Sequence, residues 1–329
     1  MSSQQQTNYM TADVLNATDL KRQIVSIDSR FRDFITESST DFLYRFERPY
    51  KNIVRAKIVS TEIPLTGILA LTERKMNTWF YLKVFDAKGI ERVVQIVVPE
   101  AIYTPMTLID AIQYDFNQFK ETYGIFMTIE LVLHTNQVKI CNLGTSSTVP
   151  IPPGMIKPDV APQPFILDFY IPDFDNRISD WGLGYNLGFR QKYIQVDTLE
   201  GIQGSEIICI VSRCIISVAP DPYYLLAIDD YYAVDHKTNQ TYVQAMAKIL
   251  TTNQGAGYAY NGTTLLTNEV VFPSPTDLKQ LRIRLLDPYG VPVQMFCDNF
   301  SFSLELTEAM SSRAYERFRW GSTVSGGVK

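Results

Sequence analysis

The 329 residues are 46% apolar, 20% charged and 12% aromatic, with 35 acidic side chains against 30 basic ones, a composition that buries a core rather than one that stays disordered. A net charge of −5 excludes general attraction to nucleic acid or anionic lipid, because both need concentrated positive charge. The longest near-continuous apolar run, residues 207–218, is broken by Ser212 and Arg213 and is too short for a bilayer core of ~30 Å, so no membrane span is predicted.

Residues 1–22 are polar and carry neither a basic leader nor a hydrophobic stretch, so they read as an arm of a chain made inside the cell. On that reading the four sequons at Asn16, Asn239, Asn261 and Asn299 are chance occurrences. Strand signals follow. Phe42, Tyr44 and Phe46 alternate with Leu43, Arg45 and Glu47, and Val54, Ala56 and Ile58 alternate with Arg55 and Lys57, the period of half-buried strands. Residues 79–85 and 93–98 form a predicted hairpin around the turn Asp86-Ala87-Lys88-Gly89.

A helix is predicted next, with Thr104 as N-cap, Pro105 at the first helical position, and Leu108, Ile112, Phe116 and Phe119 at helical spacing. Residues 127–133 and 138–140 make a second hairpin through His134-Thr135-Asn136. The proline-rich stretch 144–164 reads as an extended surface connector. The run 207–218, apolar at both parities, predicts a central strand packed on each side. A second helix is expected over about 241–250, with Tyr242, Met246, Ile249 and Leu250 on one side. Leu281, Ile283 and Leu285, the turn Asp287-Pro288-Tyr289-Gly290, and Phe300, Phe302, Leu304 and Leu306 suggest a terminal antiparallel hairpin. Many strands and few helices predict a mainly β protein, a sandwich or barrel with additions.

Cys141, Cys209, Cys214 and Cys297 contain no CxxC pair; Cys209 and Cys214 point to opposite faces of one strand, and all four are expected reduced and buried. His134 and His236 are the only histidines, too few and too scattered for the usual four-ligand zinc site, so no metal is predicted. Asp229, Asp230, Asp235 and His236 are the densest ionisable cluster, yet neighbours on a strand face opposite ways, and solvated turn carboxylates are the favoured reading over a glycosidase pair. Asp173, Asp175 and Asp180 fail the calcium-loop pattern, with Ile178 and Gly184 where glycine and glutamate are required. Gly182, Gly184 and Gly188 are one residue too widely spaced for a dinucleotide loop and follow a polar stretch, so no cofactor is predicted. Arg313, Tyr315, Arg317, Phe318 and Trp320 mix guanidinium and aromatic groups, and in an acidic chain they read as a protein-docking tail.

The strings IVSIDSRFRD at 24–33, STDFLYRF at 39–46 and KNIVRAKIVSTEIPL at 51–65 resemble the opening of penton-type and related minor capsid proteins of nucleocytoplasmic large DNA viruses. VPEAIYTPMTLIDAIQ at 98–113, LGYNLGFR at 183–190, YYLLAIDDY at 223–231, LRIRLLDPYG at 281–290 and FSFSLEL at 300–306 agree in order, and together the strings span about residues 24–306. Ala101 departs from the family pattern, where many relatives carry glycine, which bears on the local turn. The resemblance implies a single jelly-roll β-sandwich with an α+β insertion and flexible terminal arms. It also implies a non-enzymatic virion protein without cofactors, five copies of which close each icosahedral vertex beside major and minor capsid proteins. The expected partition is an arm at 1–23, a jelly roll from 24–90 and 200–307, an insertion at 91–199, and an arm at 308–329. Two alternatives are a minor capsid or cement protein beneath the major shell and a carbohydrate-binding sandwich for host attachment, with Trp181 and Tyr185 as stacking candidates.

Overall fold

The computed structural model describes residues 20–34, 36–64, 67–149, 151, 158–172, 182–197, 199–202, 205–238, 242–251, 258–259, 265–296 and 298–310. The chain opens with β1 (Leu20–Asp28) and β2 (Asp41–Pro64). It continues through β3 (Trp79–Phe85), β4 (Glu91–Val97), α1 (Pro105–Tyr123), β5 (Ile125–Val132), β6 (Gln137–Thr145) and β7 (Phe165–Asp168). Then come α2 (Gly182–Asn186), β8 (Tyr193–Val196), β9 (Leu199–Ile202) and β10 (Ser205–Ile215). The last part holds β11 (Tyr223–Ile228), β12 (Val234–Lys237), β13 (Tyr242–Ala245), β14 (Ala247–Leu250), β15 (Tyr258–Ala259), β16 (Leu265–Thr267), β17 (Val270–Leu286) and β18 (Ser301–Ala309).

The fold turns on two long strands that bend. The ladder between β2 and β17 shifts register repeatedly between Val271 and Gln280, and at this corner Asn52 takes φ 53° while Pro49, Pro273 and Pro275 are exposed. Proline cannot donate to a ladder and a bulge increases bend, so each long strand passes from one sheet layer to the other here. The second half of β2 lies between β18 and the start of β17, whereas its first half pairs with the end of β17, which pairs with β11, and β11 in turn pairs with β14. Taken as eight segments in chain order (β1, the two halves of β2, β11, β14, the two halves of β17, β18), the layers run 1-8-3-6 and 2-7-4-5. That is the strand order of a jelly roll.

One apolar cluster confirms the closure. Val25 and Ile27 of β1, Phe42 and Ile58 of β2, Tyr224 and Leu226 of β11, Ile249 of β14, Leu281 and Ile283 of β17 and Phe302 and Leu304 of β18 share it, although β1 and β14 lie far apart in the ladder order. A flat sheet could not bring them together; two layers packed face to face do. The β12–β13 hairpin covers the outside of the second layer, where Leu225, Ala227, Ala245 and Leu286 form a small core of their own.

The insertion leaves between the third and fourth segments and has its own core. Its sheets, β4-β3-β7-β8 and β5-β6-β10-β9, and α1 bury Phe80, Leu82, Leu108, Ile112, Phe116, Ile140, Phe165 and Ile208 together. The α1 helix starts as predicted. The Thr104 hydroxyl accepts from the Thr107 N–H, the Thr107 hydroxyl accepts from the Thr104 N–H, and Pro105 occupies the first turn. Gly124, at φ 70°, ends it.

Five expectations change. The jelly roll comes from residues 20–64 and 223–309 and the insertion core from 71–218, so β3 and β10 lie in the insertion rather than with the Leu281 strand. The alternation that marks a strand says nothing of its partner. The terminal hairpin does not form: β17 and β18 flank β2 on opposite sides, and after the Asp287–Gly290 turn the chain crosses to the other layer. The segment expected to be a second helix is instead the strands β13 and β14, whose register against β12 and β11 overrides local spacing. Cys141 and Cys209 stand opposite each other on β6 and β10 and form a disulfide, and Cys214 is free. The run at 207–218 buries Ile208 and Ile216 but leaves Val211 and Ile215 exposed, so it is not packed on both faces throughout. The arms at 1–23 and 308–329 lie outside the described residues except for 20–23 and 308–310, which continue β1 and β18.

Candidate interaction surfaces

The chain crosses between the two cores twice, and a polar lattice holds the crossings together. The Thr72 N–H donates to Asn77 Oδ1 (2.8 Å), Asn77 Nδ2 donates to the Ala70 carbonyl (2.9 Å) and to Asn186 Oδ1 (3.1 Å), and Asn186 Nδ2 donates to the Ser217 carbonyl (2.9 Å). Asn77 and Asn186 are buried, so each amide must be paired, and each is. Lys75 and Asp221 form an ion pair across the same waist, with side chains only 11% and 17% exposed. Gln294 Nε2 of the jelly roll donates to Glu100 Oε2 of the insertion (2.7 Å).

The insertion also carries a face that departs from the ordinary rule for antiparallel sheets, apolar inside and polar outside. Phe80, Leu82 and Val84 of β3 point into the core, so Trp79, Tyr81, Lys83 and Phe85 point out. Register aligns them with Val97, Gln95, Val93 and Glu91 of β4 on one side and with Ile166 and Asp168 of β7 on the other, beyond which lie Tyr193 and Gln195 of β8. Val93, Val97 and Tyr193 are each about half exposed or more, at 58%, 49% and 49%. The charge at the centre is internally balanced: Lys83 Nζ lies 3.2 Å from Asp168 Oδ2 and 5.3 Å from the centre of the Tyr193 ring. Trp79 and Tyr81 pack edge to face at 5.4 Å. The signal was present in the string WFYLKVF, where aromatic residues occupy both parities and not one alone.

Of the residues singled out in the sequence, Tyr185 is in the short helix α2 at the waist, with the Arg190 guanidinium 4.2 Å from its ring centre. Trp181, Arg313, Tyr315, Arg317, Phe318 and Trp320 lie outside the described residues, as do Asp173, Asp175 and Asp180. Asp229 sits in the turn after β11 at φ 43°, where its carboxylate accepts from the Arg282 N–H (2.8 Å) and burial pushes its pKa up. Asp235 and His236 belong to β12, and His236 Nε2 lies 3.0 Å from the Pro288 carbonyl. Among the described residues no group of three or more His, Cys, Asp and Glu could hold a metal ion, and no helix is long and apolar enough to cross a membrane. The three glycines serve packing: a Cβ on Gly188 would lie 2.1 Å from the Cys214 carbonyl oxygen, and one on Gly184 would enter the Phe169 ring.

No protein-family model matches the sequence, and no curated protein matches it. Among solved structures the chain is similar to the mavirus penton protein, at 8% identity and TM-score 0.42 over 89% of this chain and 99% of that one. It is also similar to a chain in the structure of the Sputnik virophage, at 12% identity and TM-score 0.39 over 88% of this chain and 98% of that one.

Proposed function

We propose that this chain is a structural capsid protein whose pentamers close the fivefold vertices of an icosahedral virion, in contact with major and minor capsid proteins. The outward face of the β4-β3-β7-β8 sheet carries the reading, and its occupant is a neighbouring copy. Contacts around a rotational axis are heterologous, so this face meets a different surface of the next subunit and the ring closes when the angle is right. From strand spacing and rise the face covers roughly 350 Å², against ~800 Å² per partner in a stable interface. The remainder falls to other surfaces, and the tail at 311–329, with Arg313, Tyr315, Arg317, Phe318 and Trp320, has the residue types that anchor interfaces. The jelly roll supplies a rigid two-layer wedge that leaves few open sheet edges.

The test is native mass spectrometry of the purified chain. The wild type gives a species five times the 37.5 kDa chain mass, whereas Val93→Arg, an exposed change on the apolar face, gives monomer with an unchanged melting temperature. A wild-type chain that stays monomeric at the highest soluble concentration, or a Val93→Arg ring as stable as the wild type, contradicts the proposal.

A further inference from the structure

At the waist, between the jelly roll and the insertion, lies a cleft of about 270 Å³. Its size is near the lower limit of ~300 Å³ for small-molecule sites, enough for one ring and not for an extended chain. Tyr185 comes from the insertion, Tyr223 from the start of β11 and Tyr289 from the turn after β17, so aromatic rings reach the cleft from three separate elements. Each is partly exposed, in a protein whose other large aromatic residues near the waist, Tyr224, Phe169 and Phe189, are buried. Two of the rings already hold a cation. Arg190 lies over Tyr185, and the Lys248 ammonium is 3.8 Å from the centre of Tyr223. A ring has two faces, and a cation on one leaves the other for stacking.

The polar part of the wall is unusual in composition. Pro220, Pro222 and Pro288 line it, and proline contributes a carbonyl acceptor without an N–H donor. The amide groups of Asn77 and Asn186 are spent on Ala70, Ser217 and each other. Among the described lining residues Lys75 is the one cation, and it is matched by the lining carboxylate of Asp221. The wall therefore combines proline carbonyl acceptors with the hydroxyls of Ser217 and the three tyrosines, which both donate and accept, and its Lys75–Asp221 pair carries no net charge. Its complement is an uncharged ligand with several hydroxyl donors and a flat C–H surface for a tyrosine ring.

We propose that the waist cleft binds a neutral sugar ring, with Tyr185 and Tyr289 stacking on its C–H face and Asp221 accepting from its hydroxyls. The cleft shares no lining residue with the outward sheet face and is independent of the capsid reading: a chain that forms rings but binds no sugar would refute the sugar site and leave the capsid reading.

The experiment is saturation-transfer NMR on the full chain with glucose, galactose, mannose and N-acetylglucosamine, and with N-acetylneuraminic acid as the anionic arm. At least one neutral sugar gives a signal in the millimolar range. Tyr185→Ala and Tyr289→Ala each weaken it about tenfold, the size of a lost stacking contact. Ala219 is exposed on the cleft wall, so Ala219→Trp fills the cleft without touching a core and abolishes the signal even if a tyrosine variant fails to fold. Signals from none of the neutral sugars, signals from N-acetylneuraminic acid alone, or neutral-sugar binding unchanged in Ala219→Trp overturn the proposal.

Discussion

Replacing Phe302 by Ala tests whether the jelly roll and the insertion are separate cores. Phe302 is 1% exposed, lies between Ile27 on β1 and Thr61 on β2, and stacks on Phe300 at 6.2 Å. Losing its burial costs about 1.5–3 kcal/mol, and the cavity left in a layer that cannot collapse brings the total to about 3–5 kcal/mol. With a urea slope near 2 kcal/mol/M the jelly-roll midpoint falls by about 2 M. Phe80, fully buried against Phe169 at 5.2 Å, is the matching site in the insertion. In a background where Trp181 and Trp320 are replaced by Phe, Trp79 is the sole source of tryptophan emission, and it sits beside Phe80 in β3. Urea titration followed by this emission and by far-ultraviolet circular dichroism separates the two. Phe302→Ala moves the jelly-roll part of the dichroism transition and leaves the Trp79 transition near its wild-type midpoint, whereas Phe80→Ala lowers the Trp79 midpoint together with the insertion's part of the dichroism. Equal shifts of the Trp79 signal in both variants would mean that one cooperative core spans the waist, and a Phe302→Ala cost below ~1 kcal/mol would remove that residue from the core.

Reducing the Cys141–Cys209 disulfide, which closes 68 residues, costs the insertion about 4 kcal/mol on the chain-entropy relation, seen as a lower Trp79 midpoint with reductant; no change would show that the crosslink does not restrain the unfolded chain. Burial raises the Asp86 carboxyl, but the Ile90 N–H, the Arg92 guanidinium and the Lys88 N–H more than offset this and hold its pKa below the usual value. Its stabilisation is therefore present above the ordinary carboxylate range and is lost as pH falls through the lowered value. Calorimetry from neutral pH down should show a lower melting temperature for Asp86→Asn at neutral pH and a shallower acid limb; parallel curves would contradict the assignment. Arg313→Ala with Arg317→Ala should leave the monomer within ~0.5 kcal/mol of wild type while weakening the ring, and an equal loss in isolated monomer would make these residues part of a core.

Local patterns carried much of the fold, and non-local pairing carried the rest. The β3–β4 and β5–β6 hairpins and α1 were legible because turn, cap and periodicity signals lie within a few residues of one another. Residues 242–250 carry both a helical spacing and β-branched or aromatic side chains, and only their pairing with β11 and β12 decides between them. The jelly-roll order depends on bends at Asn52 and Pro273 in strands that look like two segments each in sequence, and on a crossing after Gly290 that a hairpin signal conceals. The disulfide was hidden for the same reason: Cys141 and Cys209 meet only because β6 and β10, far apart in the chain, share a register. Of the candidate sites, Tyr185 was legible as an aromatic residue near glycines, but the Tyr223 and Tyr289 that join it come from the other core. The outward aromatic face becomes visible only when the parity of WFYLKVF is fixed by which side buries Phe80.

The most direct measurement is cryo-electron microscopy of purified virions with reconstruction focused on single vertices, without imposed fivefold averaging. The account predicts five copies of this chain around each vertex, with the Trp79–Tyr193 face turned towards the adjacent copy. Density for the chain beneath the hexagonal capsomers, or vertices closed by a different protein, would contradict it.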